Sequence, residues 1–136
     1  MSPQQREAFL ADLHVGILSV ERVDGPPLSV PIWYDYEPQG DVTVIAGRDS
    51  LKTVLLSRAG RFSLCAQNES LPYKYVTVEG PVNSVETADA EADLLPMATR
   101  YLGADGGRSY VDGAGGSDSV IIRMRPNRWF SVDYGA

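Results

Sequence analysis

One cysteine and one histidine are all that this chain of 136 residues offers of two side chains much used in nucleophilic and metal chemistry. A lone Cys65 excludes an internal disulfide and any cysteine-cluster metal site. In "FSLCAQ" it reads as an inert thiol of the core. A lone His14 would have to serve any Ser-His-Asp or Cys-His arrangement. It falls where a helix meets a strand, which fits a structural or surface histidine. Carboxylates are numerous but scattered, with no pair on rigid elements for glycosidase chemistry and no ligand spacing for a metal. The loop "GADGG" lacks both a preceding strand and a following Lys-Ser/Thr, so it is no phosphate loop. Positive charge is also short: 12 basic residues stand against 18 acidic ones, a net charge of -6. That balance excludes general nucleic-acid binding. No apolar run approaches the ~20 residues of a membrane span. "MSPQQREAFLADLH" has no charged-then-apolar signal layout, so the expectation is a cytoplasmic protein with no membrane partner.

What is present is enough for a core. At 43% hydrophobic and 22% charged, the chain reads as one domain over residues 1–136. "SPQQREAFLADL" opens as a helix with Ser2 as cap, Pro3 in the first position and Gln5 completing a capping box. Phe9, Leu10 and Leu13 share its buried stripe. "HVGILSVERV", "LSVPIWYDYE" and "VTVIAG" then alternate as strands, separated by the turns "DGPP" and "PQGD". A helix from Leu51 to Ala59 leads to the strands "RFSLCAQ" and "KYVTVEGPVNSVE", the second bent or bulged at Gly80–Pro81. "TADAEADLLPMATRYLG" reads as a helix capped by Thr87 and kinked or broken at Pro96. "GADGGRSYVDGAGGSD" reads as a flexible Gly-rich loop, and "SVIIRMRP" and "RWFSVDYG" as the last strands or one broken strand. The links are too short for parallel crossovers. The expected fold is therefore mainly β, an antiparallel barrel of about six strands with short helices.

The stretch "GRDSLKTVLLSRAGRF" is unusual in its charge. Asp49 or Ser50 caps the helix and Gly60 stops it. Arg48 and Lys52 nevertheless sit at its start, the positive end of the macrodipole, where Asp or Glu is the favoured choice. Four basic residues and one acid lie between Arg48 and Arg61, a locally positive surface on an acidic protein. An anion at the helix start would account for the pattern; two solvated side chains would cost only a few tenths of a kcal/mol. Aromatics are the other feature. Trp33 and Tyr34 point to opposite faces of one strand, and Tyr73, Tyr75, Trp129, Phe130 and Tyr134 gather late in the chain. Such residues suit a flat ring system, a barrel core or a dimer interface. With no acid, base, nucleophile or metal arrangement of its own, the chain as an enzyme needs a cofactor to bring the chemistry.

The order of "VTVIAG", "RDSLK", an apolar strand and "KYVTVEG" resembles the split β-barrel flavoproteins related to pyridoxamine 5′-phosphate oxidase. More narrowly, it resembles their short flavin/deazaflavin oxidoreductases. "LSVPIWYDYE", "GRFSLCAQNESLPYKYVTVEG" and "SVIIRMRPNRWFSVDYG" are similar to the second, central and closing strands of that family, so the likeness spans residues 8 to 134. The resemblance implies a six-stranded split barrel. It also implies that Ser50 and Lys52 bind a cofactor phosphate and that Val44, Ile45, Ala46 and Gly47 run along the flavin-type ring. It further implies a homodimer with the cofactor between subunits, and Trp33, Trp129 and Tyr134 are the aromatics expected in the shared cleft.

Leu51 stands where the oxidase proper has an arginine, no Lys or Arg occurs in "PLSVPIWYDYEP", and the oxidase's substrate-phosphate motif is absent. Pyridoxamine-phosphate oxidation is therefore not the expected reaction. The expected cofactor is the deazaflavin coenzyme F-420, with FMN as the alternative. Arg48, Arg58 and Arg61 are candidates for the polyglutamate tail of F-420. The expected activity is hydride transfer between that cofactor and a small organic acceptor. A non-catalytic carrier of a flavin, a deazaflavin or a lipid-like ligand is the alternative, and the sequence names no catalytic residue.

Overall fold

In the computed structural model, residues 1–114 and 118–136 are described. The chain runs α1 (Pro3–Ala11), β1 (Gly16–Val20), β2 (Leu28–Ile32), β3 (Tyr34–Tyr36), β4 (Val42–Gly47) and α2 (Leu51–Ala59). It continues through β5 (Arg61–Gln67), β6 (Lys74–Thr87), a π-helical turn (Ala90–Leu94), α3 (Leu95–Gly113), β7 (Ser119–Met124) and β8 (Arg128–Asp133). All pairings are antiparallel, in the order β2-β1-β5-β6-β7-β4-β3, with β8 on the free edge of β6.

Two strands serve both halves of the sheet. Only Trp33 separates β2, which pairs with β1, from β3, which pairs with β4. In β6, Lys74 to Glu79 lie between β5 and β8, whereas Val82 to Thr87 pair with β7. The change comes at Gly80–Pro81, followed by a register shift between Val82 and Ser84, as the bend expected there requires. With β2 and β3 as one interrupted strand, the pairings close a six-strand circuit. The chain has eight strand segments rather than six because Trp33 breaks one strand and Pro126 lies between β7 and β8.

The inner face of the circuit is the core. Leu18, Tyr34, Val42, Val44, Leu64, Val76, Val78, Ile122 and Met124 are wholly buried, each on the inward phase of its strand. Truncating one of them, such as Leu64→Ala, costs ~2–5 kcal/mol, because a closed circuit leaves little room to collapse.

Several local expectations hold and others do not. The Ser2–Gln5 capping box is present, and Gly60 ends α2. Leu13, however, lies beyond the end of α1 and is exposed, since the helix stops at Ala11 and Asp12 is extended. Cys65 is not a core residue. It is half-exposed on the outer phase of β5, between buried Leu64 and Ala66. Thr87 ends β6 and caps nothing. Asp89 is the cap, its carboxylate accepting from the Glu91 and Ala92 amides at 3.1 and 2.7 Å.

Pro96 has no N–H to return to the preceding turn, and the wider π turn takes up the mismatch before α3 begins. The helix then breaks at Gly103 (φ 81°), a backbone conformation that suits glycine. Beyond it the chain is helical to Gly113, where a loop was expected. Residues 115–117 of that expected loop lie outside the described residues.

Candidate cofactor cleft

The end of β4, the start of α2 and one side of α3 enclose a cleft of about 380 Å³. Its barrel wall includes Ile32, Trp33, Ile45, Ala46 and Gly47; Leu94, Met97, Ala98 and Tyr110 come from the π turn and α3. The alternation of β4 decides which residues face where. Val44 is wholly buried in the core and is not on the cleft lining, while Ile45 is partly exposed and lines it. Lys52 is the one charged side chain on the lining, and it forms no ion pair among the described residues.

The start of α2 is held from inside. The Ser50 hydroxyl accepts from the Thr53 amide at 3.4 Å and lies 3.0 Å from the Thr53 hydroxyl. The Thr53 hydroxyl donates to the Gly47 carbonyl at 2.7 Å. Ser50 thus serves the helix as its cap. No acidic residue occupies the first turn, and the Leu51 and Lys52 amides have no intrachain acceptor among the described residues. Open amides beside an uncommitted ammonium make a place for an anion.

The other basic residues of this stretch are placed differently. Arg48 donates to both carboxylate oxygens of Asp118 (3.0 and 2.9 Å) and to the Thr87 hydroxyl (2.8 Å), tying the turn before α2 to β6 and β7. Arg61 is paired at 2.7 Å with Glu21 in a second groove that includes Glu79 and Arg128 and shares no residue with the cleft. Arg58 is exposed in the last turn of α2. The expected tail-binding trio therefore does not form one groove. Trp129 is also away from the cleft: it meets the edge of Tyr36 at 5.9 Å and lies beneath Arg6. Tyr134 is exposed near the C-terminus.

Of the three aromatics expected in the cleft, Trp33 is the one that reaches it, where it joins Tyr110. Its indole stacks on Tyr101 (centroids 5.0 Å apart, planes at 6°) and is tilted against Tyr110 at 5.3 Å. The Tyr101 hydroxyl accepts from the Tyr34 amide (3.0 Å) and lies 2.6 Å from the His14 carbonyl and 3.0 Å from that of Tyr34. Burial pushes the Tyr101 phenol above its usual range. Arg100 donates to the carbonyls of Tyr34, Ala11 and Asp12 at 3.0–3.1 Å. The sequence reading did not find this α3 wall. Taking Pro96 as the point of breakage, and the residues after Gly103 as loop, hid the helical spacing that brings Met97, Tyr101 and Tyr110 to one region.

His14 stacks on Phe9 and bonds its carbonyl at 3.1 Å, a structural arrangement. Among the described residues no group of three or more His, Cys, Asp or Glu is placed to hold a metal, and no helix is long and apolar enough to cross a membrane.

Solved structures share this architecture. An F-420 reductase superposes with a TM-score of 0.74 at 22% identity, covering 91% of this chain and 94% of its own. A FAD-binding protein from Mesorhizobium loti gives 0.64 at 19% identity, covering 96% and 91%. A candidate pyridoxamine 5′-phosphate oxidase from Listeria innocua gives 0.66 at 15% identity, covering 97% and 98%. The fold is the split β-barrel. No family model matches the sequence, and no curated protein matches it. At these identities the likeness fixes the architecture of the split barrel and leaves its chemistry to the cleft.

Proposed function

We propose that this split barrel binds a flavin-type redox cofactor in the cleft and passes a hydride between it and a small organic acceptor. The deazaflavin F-420 is favoured over FMN. The observation that carries the reading is Lys52, the one charged side chain of an aromatic and apolar cleft, beside two open amides at the start of α2. A cofactor phosphate there accepts from the Leu51 and Lys52 amides and pairs with the ammonium. Ile45, Ala46, Gly47 and Trp33 would then hold the ring. The volume suits a ring system, and the lining suits a flat apolar one.

When bound, the cofactor supplies the hydride chemistry. The chain's own residues bind the phosphate, orient the ring and keep water from it. The F-420 reductase, which superposes on this chain with a higher TM-score than the candidate oxidase or the FAD-binding protein, supports the deazaflavin. With Arg48 and Arg61 engaged elsewhere, Arg58 is the remaining basic residue of the stretch for its tail.

The outer face of the barrel supports the proposal of a homodimer. Register places Ile17, Cys65, Thr77 and Phe130 in one largely apolar row across β1, β5, β6 and β8, with Ile17 and Phe130 exposed and Cys65 and Thr77 partly so. A second copy of the chain would cover that row.

Fluorescence titration of the purified protein with F-420 and with FMN tests the reading. Saturable micromolar binding of either, weakened in Lys52→Ala, supports it. Absence of binding by both overturns it. Because the cleft has no carboxylate, histidine or cysteine on its lining among the described residues, a carrier of the cofactor would use the same contacts. Turnover of an acceptor with reduced cofactor separates catalysis from carriage.

A further inference from the structure

We infer that Tyr101 is a positioning residue for this cleft, fixing the indole of Trp33 as the wall against which a bound ring lies. The inference rests on the cofactor reading for what the wall is used for, but not for how Trp33 is held. Trp33 is the residue at which the chain leaves one half of the sheet and joins the other. The pairing of β2 ends at Ile32 opposite Gly16, and that of β3 begins at Tyr34 opposite Val44. A residue between two ladders has no neighbouring strand to set its backbone direction.

Tyr101 provides that restraint twice. Its hydroxyl takes the Tyr34 amide and reaches the Tyr34 and His14 carbonyls, so polar groups flanking the break are satisfied. Its ring lies nearly parallel to the indole, 5.0 Å from it. Arg100, the preceding residue, bonds the Tyr34 carbonyl and two carbonyls at the end of α1, so α3 cannot slide without breaking these contacts. The two together hold the Trp33 ring between α3 and the cleft. The other ring against Trp33, Tyr110, is tilted at 50° and is itself 45% exposed.

The test uses Trp129→Phe as background, leaving Trp33 as the only tryptophan. Acrylamide quenching of Trp33 is measured without ligand, and Kd is measured for F-420 and FMN. Tyr101→Leu removes both ring and hydroxyl. It is expected to raise the quenching constant about fourfold and Kd about tenfold, with the far-UV spectrum unchanged. Tyr101→Phe keeps the ring, and about a twofold rise in quenching with a smaller rise in Kd is expected. A merely structural tyrosine would lower the melting temperature and leave Trp33 quenching in the folded protein as it was.

That last result, in a folded Tyr101→Leu variant, overturns the inference. If Tyr101→Leu does not fold, unchanged quenching in Tyr101→Phe overturns it. If quenching rises as expected while the parent binds neither cofactor, the positioning stands and the cofactor reading falls.

Discussion

The Thr53 hydroxyl donates to the carbonyl of Gly47 across 2.7 Å, and Thr53 is 5% exposed. This bond joins the first turn of α2 to the last residue of β4, so strand end and helix start move as one piece. Thr53→Val keeps the shape and removes this bond, leaving the Gly47 carbonyl only the Ser50 amide at 3.1 Å. A loss of ~0.5–1.5 kcal/mol in unfolding free energy is expected in urea titration, the net worth of one intramolecular hydrogen bond.

Lys52→Ala should act on affinity rather than folding. An ammonium at the positive end of a helix adds little to stability or slightly opposes it, so the melting temperature should hardly move. Binding of F-420 or FMN should weaken by ~1.5–3 kcal/mol, the worth of a charge-assisted hydrogen bond. Calorimetric titration of parent and variant reads both quantities, and an unchanged Kd would remove the anion from the start of α2.

Gly80 is where β6 passes from one half of the sheet to the other, and Arg125 crosses directly over it. A Cβ at Gly80 would collide with the Arg125 carbonyl oxygen, and a backbone atom cannot swing aside as a side chain can. Gly80→Ala should therefore cost about 3 kcal/mol, the upper end for overpacking, measured by denaturant unfolding. A near-neutral result would mean that the two strands are more widely spaced there.

Alkaline pH should destabilise the protein through its tyrosines. Burial and the hydrogen bond to Glu7 push the Tyr36 phenol up to about 12, and burial raises Tyr34 and Tyr101 as well. A folded-state pKa above the unfolded value of about 10 gives stability that is fully present below pH ~10. That contribution is lost as pH rises towards the folded value, so the urea midpoint should fall between pH 10 and 12. Tyr36→Phe should show a shallower fall over the same window.

Much of the barrel was legible because strand and helix periods differ so plainly. The alternation in "VTVIAG" puts Val42, Val44 and Ala46 inside, and Ser2, Ser50 and Gly60 mark helix ends by chemistry that is local in sequence. The same alternation misled at Cys65. In "RFSLCAQ" the apolar run is nearly continuous, and only the register with β1 and β6 shows which phase faces outward. The charge of Arg48 was visible, but its partner Asp118 lies 70 residues away, so a latch looked like part of a ligand site. Lys52 and Trp33 came together in one cleft, whereas Trp129 and Arg61 went to other faces. Tyr101 was unreadable because its role depends on a strand break that no neighbouring residue announces.

The cleft has two walls of unlike origin. One is made of β4 and α2, knit into the sheet by ladder bonds and by Thr53. The other is a helix that hangs from the barrel chiefly at Arg100 and Tyr101 and turns back on itself at Gly103. Residues 104–113 take part in none of the strand pairings. In a chain built this way, the proposed anion seat at the start of α2 is set apart from the residues that follow Gly103. Variants with exchanged 104–114 segments should differ in the acceptor they admit before they differ in the cofactor they hold.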